Sequence, residues 1–174
     1  AEAKEVAVED LIAEEDVVIT ISHTGYIKRL PVSSYRKQSR GGKGSTGTDL
    51  KDEDFAEYLF VASTHDYLLC FSDKGRVYWV KVYDIPQASR QAKGKAIINL
   101  VELGSGEKMA AFVPVREFKE DEFLVMVTAK GLIKKTALSA YGNPRRGGIV
   151  GMGIEPGDRL IQVARTDGHQ ELLL

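Results

Sequence analysis

Val17-Val18-Ile19-Thr20-Ile21-Ser22-His23-Thr24-Gly25 reads as one strand running into a tight turn. Val17, Ile19 and Ile21 alternate with Val18, Thr20 and Ser22, the two-residue period of an extended chain whose faces differ. His23-Thr24-Gly25 then turns the chain into Tyr26–Val32. A positive φ is expected at the glycine, since glycine adopts it without steric cost. The same phrase returns twice. Tyr67–Ser72 leads through Asp73-Lys74 to Gly75, and Phe123–Thr128 leads through Ala129-Lys130 to Gly131.

Counting from each of these glycines extends the agreement. Two residues on stand Ile27, Val77 and Ile133; ten on, Tyr35, Ile85 and Tyr141; fifteen on, Arg40, Arg90 and Arg146. The glycines lie 50 and 56 residues apart, the period of blade-type repeats. Each unit holds a further strand pattern, at Tyr58–Thr64, Met109–Val115 and Leu160–Thr166, and Leu172-Leu173-Leu174 reads as the opening of another unit. About four strands per unit of this length describe one blade of a radial β-architecture. The expected fold is therefore all-β, a propeller-like or pinwheel array of four-stranded blades, three to four of them present. The blades fall near 17–66, 67–122 and 123–171, preceded by an acidic linker or a short helix around Val6–Ala13 within residues 1–16.

A chain of 174 residues, 43% hydrophobic and 28% charged, has the composition of an ordinary soluble globular protein. Its formal net charge of −1 hides an asymmetry. Residues 1–16 hold seven acids against Lys4, a net of −6, which leaves +5 on the remainder. An acidic entry followed by a basic body suits a binder of polyanions. The single cysteine, Cys70, lies in the apolar run Tyr67–Phe71 and reads as a small buried hydrophobe, consistent with a reducing, cytoplasmic setting. No apolar run approaches the length of a membrane helix, and the acidic N-terminal stretch lacks a signal-type core. The first residue is Ala1, which suits a piece of a longer protein.

Charge follows the repeat. Lys28 to Lys43 holds six cations (Lys28, Arg29, Arg36, Lys37, Arg40, Lys43) and no acid. Lys74 to Lys95 holds six (Lys74, Arg76, Lys81, Arg90, Lys93, Lys95) against Asp84, and Lys130 to Arg146 holds five (Lys130, Lys134, Lys135, Arg145, Arg146) with none. The acids gather between these runs, at Asp49–Glu57 and Glu117–Glu122. A single Lys/Arg run is ordinarily a solvated surface. Recurrence in phase with the blades is different: equivalent positions on equivalent edges would line the cations into a curved stripe along which a duplex could bend. Within the first run, Gln38-Ser39-Arg40-Gly41-Gly42-Lys43-Gly44 combines glycines with cations, so backbone N–H groups could approach an anion closely.

Other chemistry finds little support. Gly42-Lys43-Gly44-Ser45-Thr46-Gly47 satisfies G-x-G-x-x-G, but a basic loop, Ser33–Gln38, precedes it where a dinucleotide fold needs a strand. The P-loop pattern fails because Gly44 follows Gly42-Lys43. His23, His65 and His169 have no ligand spacing, and with one cysteine no zinc site is expected. Trp79 could stack on a base, but its place in the strand pattern Arg76–Tyr83 favours the core.

Gln38–Gly44 resembles the box Gln-Arg-Arg-Gly-Gly-Lys-Gly of the DNA gyrase A C-terminal domain family, departing from it at Ser39. Asp16-Val17-Val18-Ile19-Thr20 and Gly25-Tyr26-Ile27-Lys28 are similar to the family's first blade. Thr64-His65-Asp66, Leu69-Cys70-Phe71 and Gly75-Arg76-Val77-Tyr78 are similar to the next, and Gly131-Leu132-Ile133-Lys134-Lys135-Thr136 to the one after. The resemblance spans nearly the whole chain and implies a β-pinwheel. It implies a non-catalytic module that wraps duplex DNA around a basic perimeter, so that an ATP-dependent type II topoisomerase introduces negative supercoils. The implied partners are duplex DNA, the gyrase B subunit, and the rest of the gyrase A subunit. No cofactor is implied for the domain, since ATP and magnesium belong to other parts of such an enzyme. Expected contacts are Gln38, Arg40, Gly41, Gly42, Lys43 and Gly44, with Lys28, Arg29, Arg36, Lys37, Arg90, Lys93, Lys95, Lys134, Lys135, Arg145 and Arg146. Two alternatives stay open: the equivalent domain of the topoisomerase IV A subunit, against which the nearly intact box argues, and a blade-repeat protein-interaction scaffold. Replacing Arg40 and Lys43 together by alanine is expected to abolish DNA bending while sparing the fold. Energy transfer across an end-labelled duplex reports it, and bending equal to wild type would refute the expectation.

Overall fold

The computed structural model describes residues 7–35 and 54–169. Its strands run, in chain order, β1 (Asp16–Ser22), β2 (Tyr26–Pro31), β3 (Ala56–Ser63), β4 (Tyr67–Ser72), β5 (Arg76–Lys81) and β6 (Lys95–Ala96). There follow β7 (Met109–Val115), β8 (Phe123–Thr128), β9 (Ile133–Ala137), β10 (Ile149–Val150) and β11 (Leu160–Thr166). They form three sheets, ordered β3-β1-β2-β6, β10-β5-β4-β7 and β11-β8-β9. The all-β repeat architecture expected from the sequence is what the chain adopts.

The strands belong to two compact units. The first takes Ala1–Asp66 and Lys81–Leu100 and contains the first sheet; the second takes Tyr67–Val80 and Val101–Leu174 and contains the other two. Neither unit is one continuous run of the chain, because strands pair across repeats. The first sheet is completed by β6, which lies in the second repeat, and the second sheet by β10, which lies in the third. Each completing strand is two residues long and pairs antiparallel with the second strand of the preceding repeat: Tyr26 with Ala96 and Ile27 with Lys95, then Ile149 with Val77 and Val150 with Arg76.

Burial explains the long strands: β7 alternates buried with partly buried residues, whereas β1, β4 and β8 carry runs of three or more buried residues. In the first unit Val17, Ile19 and Ile21 of β1 are buried, as is Ile27 of β2. In the second unit Leu69 and Phe71 of β4, Val77 of β5 and Val113 and Val115 of β7 share one core with Leu124 and Met126 of β8 and Leu160 of β11. Tyr141, in the 3₁₀ turn Leu138–Tyr141, meets Phe71 edge-on at 6.2 Å between ring centroids. Trp79 packs against this core and its indole N–H donates to the Tyr141 carbonyl at 2.9 Å, a structural placement. Cys70 is fully buried, and burial pushes its thiol pKa far above the ordinary value.

The three hairpin turns share their chemistry. Gly25, Gly75 and Gly131 have φ of 92°, 79° and 88°, as their positions required. Each glycine N–H donates, at 3.0 Å, to the carbonyl three residues back, on Ser22, Ser72 or Thr128. The hydroxyl of that same residue accepts the N–H following the glycine, from Tyr26, Arg76 and Leu132 at 3.0, 3.2 and 3.1 Å. In the first and third turns a carboxylate two residues ahead of the outer strand adds a cap: Asp54 accepts from the Thr24 N–H and Asp158 from the Lys130 N–H, each at 3.0 Å.

Among the described residues of the acidic entry, a 3₁₀ turn forms at Val8–Leu11. The segment after it is tied to the loop ending β3: Thr64 Oγ1 donates to the Ala13 carbonyl at 2.8 Å and accepts from the Glu15 N–H at 3.1 Å. Val6, at the edge of the expected helix, and Leu172-Leu173-Leu174 lie outside the described residues.

Two further glycines decide whether the completing strands can dock. Gly94, just before β6, has φ 88°, and a methyl group there would fall on the Ile27 carbonyl. Gly148, just before β10, has φ 73°, and a methyl group would meet the Val77 carbonyl and the Tyr78 ring. Gly94→Ala is expected to destabilise the protein by at least the ~1–3 kcal/mol of left-handed backbone at a non-glycine residue. Denaturant unfolding measures this, with Gly153→Ala, where a methyl group meets nothing within 4 Å, as the neutral control.

Candidate nucleic-acid interface

Among the exposed cations, Arg90, Lys93 and Lys95 lie on or beside the loop ahead of β6, and Arg145 and Arg146 on the loop ahead of β10. In the first unit that loop follows the 3₁₀ turn Val82–Asp84 and runs to β6. Its first half lies along β2: the Arg29 N–H donates to the Pro86 carbonyl at 3.0 Å and the Ala88 N–H to the Arg29 carbonyl at 3.1 Å, while Arg29 Nε donates to Ile85 O at 2.7 Å. Its second half closes around one ammonium group. Lys28 Nζ donates to the carbonyls of Ser89, Arg90 and Ala92 at 3.0, 2.6 and 2.8 Å. Burial, and then the neighbouring Arg90 charge, holds the Lys28 pKa below the ordinary lysine value.

That arrangement leaves Arg90, Lys93 and Lys95 exposed. Lys93 Nζ stands over the Tyr26 ring, 5.6 Å from its centroid. An open cavity of about 250 Å³ lies here, with Thr20, Tyr26, Lys28, Arg90, Gln91 and Lys93 in its walls. Asp54 also borders it, but its carboxylate is held by the Thr24 N–H and hydroxyl.

The second unit repeats the design with different atoms. Arg76 Nη2 donates to the carbonyls of Gly147 and Gly148 at 2.7 and 3.4 Å, fixing the loop ahead of β10. Tyr78, beside Gly148, donates its hydroxyl to Glu107 Oε1 at 2.6 Å, and the Gly104 N–H donates to the same oxygen at 2.8 Å. Arg145 and Arg146 are exposed on this loop; Arg146 Nε lies 3.4 Å from Glu102 Oε1, both side chains largely in water. Lys134 Nζ donates to the Gly151 carbonyl at 3.0 Å, and Lys135 Nζ sits over the Phe123 ring at 4.2 Å.

The expected contact residues thus divide by use. Lys28, Arg29 and Lys134 donate to backbone carbonyls; Arg90, Lys93, Lys95, Lys134, Lys135, Arg145 and Arg146 are exposed. Arg36, Lys37, Gln38, Arg40, Gly41, Gly42, Lys43 and Gly44 lie outside the described residues. Arg76, Gly94 and Gly148 were missing from the expected set. Glycine recurring shortly after each arginine was the available signal for the last two.

A model of the DNA gyrase C-terminal domain, described as a beta-propeller, matches residues 16–63, 66–116 and 122–167, one span for each repeat. The chain belongs to the DNA gyrase C-terminal domain family. It is 49% identical over 174 residues to the A subunit of DNA gyrase from Haemophilus influenzae, covering all of this chain and 20% of that protein. Against the A subunit of DNA gyrase from Escherichia coli K12 it is 47% identical over 174 residues, again covering 20% of the relative. The chain therefore spans about a fifth of the length of these relatives. Among solved structures, the C-terminal domain of a DNA topoisomerase IV is similar at TM-score 0.72 and 29% identity, covering 90% of this chain and 47% of that one. A DNA gyrase A C-terminal domain matches at TM-score 0.55 and 22% identity, covering 86% and 64%, and shows the shared fold.

The second unit's loop has a titratable support. Burial raises the Glu107 pKa, but the Ser72 and Tyr78 hydroxyls, the Gly104 N–H and the Arg76 charge outweigh it and hold the carboxyl below the ordinary glutamate value. A depressed folded-state pKa contributes stability that is present above the unfolded pKa and lost as pH falls through the folded one. Thermal unfolding followed downward from about pH 5 is expected to show this loss, and Glu107→Gln to flatten the acid limb. Superimposable acid limbs would reject the assignment.

Proposed function

We propose that this domain binds duplex DNA without sequence preference and bends it, as the wrapping module of a DNA gyrase that introduces negative supercoils. The observation that carries this is the match of all three repeats to the gyrase C-terminal domain family, on a chain that carries exposed cations on the loops ahead of both completing strands. Contacts would be to phosphates, so affinity should fall steeply with salt. Bending stiff duplex costs several kcal/mol, which contacts distributed over successive repeats can offset and one loop cannot. The domain would supply no catalytic group of its own. Duplex DNA, the gyrase B subunit, and the rest of the gyrase A subunit are its proposed partners, with cleavage and ATP hydrolysis residing in those other parts of the enzyme.

Ligating nicked circles with the domain bound tests the proposal directly. Closed circles of shifted linking number are expected, and the shift should diminish when Lys134, Lys135, Arg145 and Arg146 are neutralised together. An unshifted distribution with wild-type protein would refute wrapping.

A further inference from the structure

Building on that reading, we infer that Arg165 is a positioning residue: it latches the third sheet to the second at a fixed angle, and that angle sets the course of the duplex from one repeat to the next. Every part of the latch lies in the second unit. β11, of the third sheet, packs beside β7, of the second. Two ties join this strand to the second sheet. At its start the Leu160 N–H donates to the Asp73 carbonyl at 2.8 Å, in the turn that leads from β4 into β5. Near its end the Arg165 guanidinium spans two partners. Nη1 donates to the Pro114 carbonyl on β7 at 3.3 Å, and Nη2 to Glu122 Oε2 at 2.6 Å. The ties stand roughly 15 Å apart along the strand.

Glu122 is itself held in place, in the link between β7 and β8. The Leu138 N–H donates to the Glu122 carbonyl at 2.8 Å, the Ser139 N–H donates to that of Lys119 at 3.1 Å, and Phe118 packs against the core. A strand tied at one point can swing about it; tied at two it cannot. The core shared by the two sheets supplies adhesion, but apolar contact has no preferred direction. The guanidinium fork and its charge-assisted hydrogen bond do have one. The backbone tie at Leu160 is therefore the pivot and Arg165 the latch. Bent duplex pushes back elastically on whatever holds it, and a joint left with its pivot alone yields to that push.

Two variants of the full chain separate latching from DNA contact. Arg165→Met removes both donors. Glu122→Ala removes one acceptor together with a negative charge, a change that by electrostatics alone would strengthen binding to a polyanion; it also carries the test if Arg165→Met fails to fold. Nitroxide labels on Lys108→Cys beside β7 and Ile133→Cys on β9, both exposed positions, read the angle without DNA, the fully buried Cys70 staying unlabelled. The distance distribution is expected to broaden in each variant, and distributions as narrow as the parent's would overturn the latch whatever the domain does to DNA. In nicked-circle ligation at saturating protein, the linking-number shift is expected to fall in each variant while the salt slope of binding stays unchanged. A full shift despite broadened distances would overturn the role in wrapping. So would a slope lowered in Arg165→Met by the ~0.9 of one phosphate, which would make Arg165 a DNA contact. Wild-type protein that shifts no circles would remove wrapping and the role built on it, with the label distances still deciding the latch.

Discussion

A two-residue strand laid against the second strand of the preceding repeat is the contact on which the rest of this structure depends. β6 on β2 and β10 on β5 make only a few backbone hydrogen bonds, each worth ~0.5–1.5 kcal/mol net. So short a pairing needs help, and the same two aids appear in both units. A glycine with positive φ removes the side chain that would strike a carbonyl, and a cation from the neighbouring strand, Lys28 or Arg76, gathers the incoming loop's carbonyls. The completing strand also covers part of an edge whose N–H and C=O groups would otherwise stand unpaired.

One consequence is a division of labour among residues of like charge. An ammonium surrounded by carbonyls is partly desolvated and oriented inward, as the lowered Lys28 pKa reflects. Arg90 and Lys93 on the loop that Lys28 shapes, and Arg145 and Arg146 on the loop that Arg76 holds, remain in water. Net charge over the whole chain, −1, reports none of this. What matters for an anionic partner is which cations keep open donors and how firmly their loops are held.

Much of the architecture was legible because the long strands are apolar runs that each end at a turn. β1, β4 and β8 each carry at least three consecutive buried residues, and Gly25, Gly75 and Gly131 mark their turns. The completing strands were not legible, because Lys95-Ala96 and Ile149-Val150 are too short to show a period. Their pairing across repeats therefore shows only in the fold. Of the expected contact residues, Arg90, Lys93, Arg145 and Arg146 stand exposed on loops. Nothing in the sequence separated Lys28 from them, since carbonyl capture is a property of the folded loop.

The borrowed strand also sets an order for biosynthesis. β2 ends at Pro31, yet its outer partner begins only at Lys95, so the nascent first sheet waits at the ribosome for most of the next repeat before it is complete. β5 waits likewise from Lys81 to Ile149. Closing such long loops slows folding, and an unpaired edge can recruit the wrong strand in the interval. The first and second repeats are therefore each finished by the arrival of the next, and translation runs ahead of their closed folds.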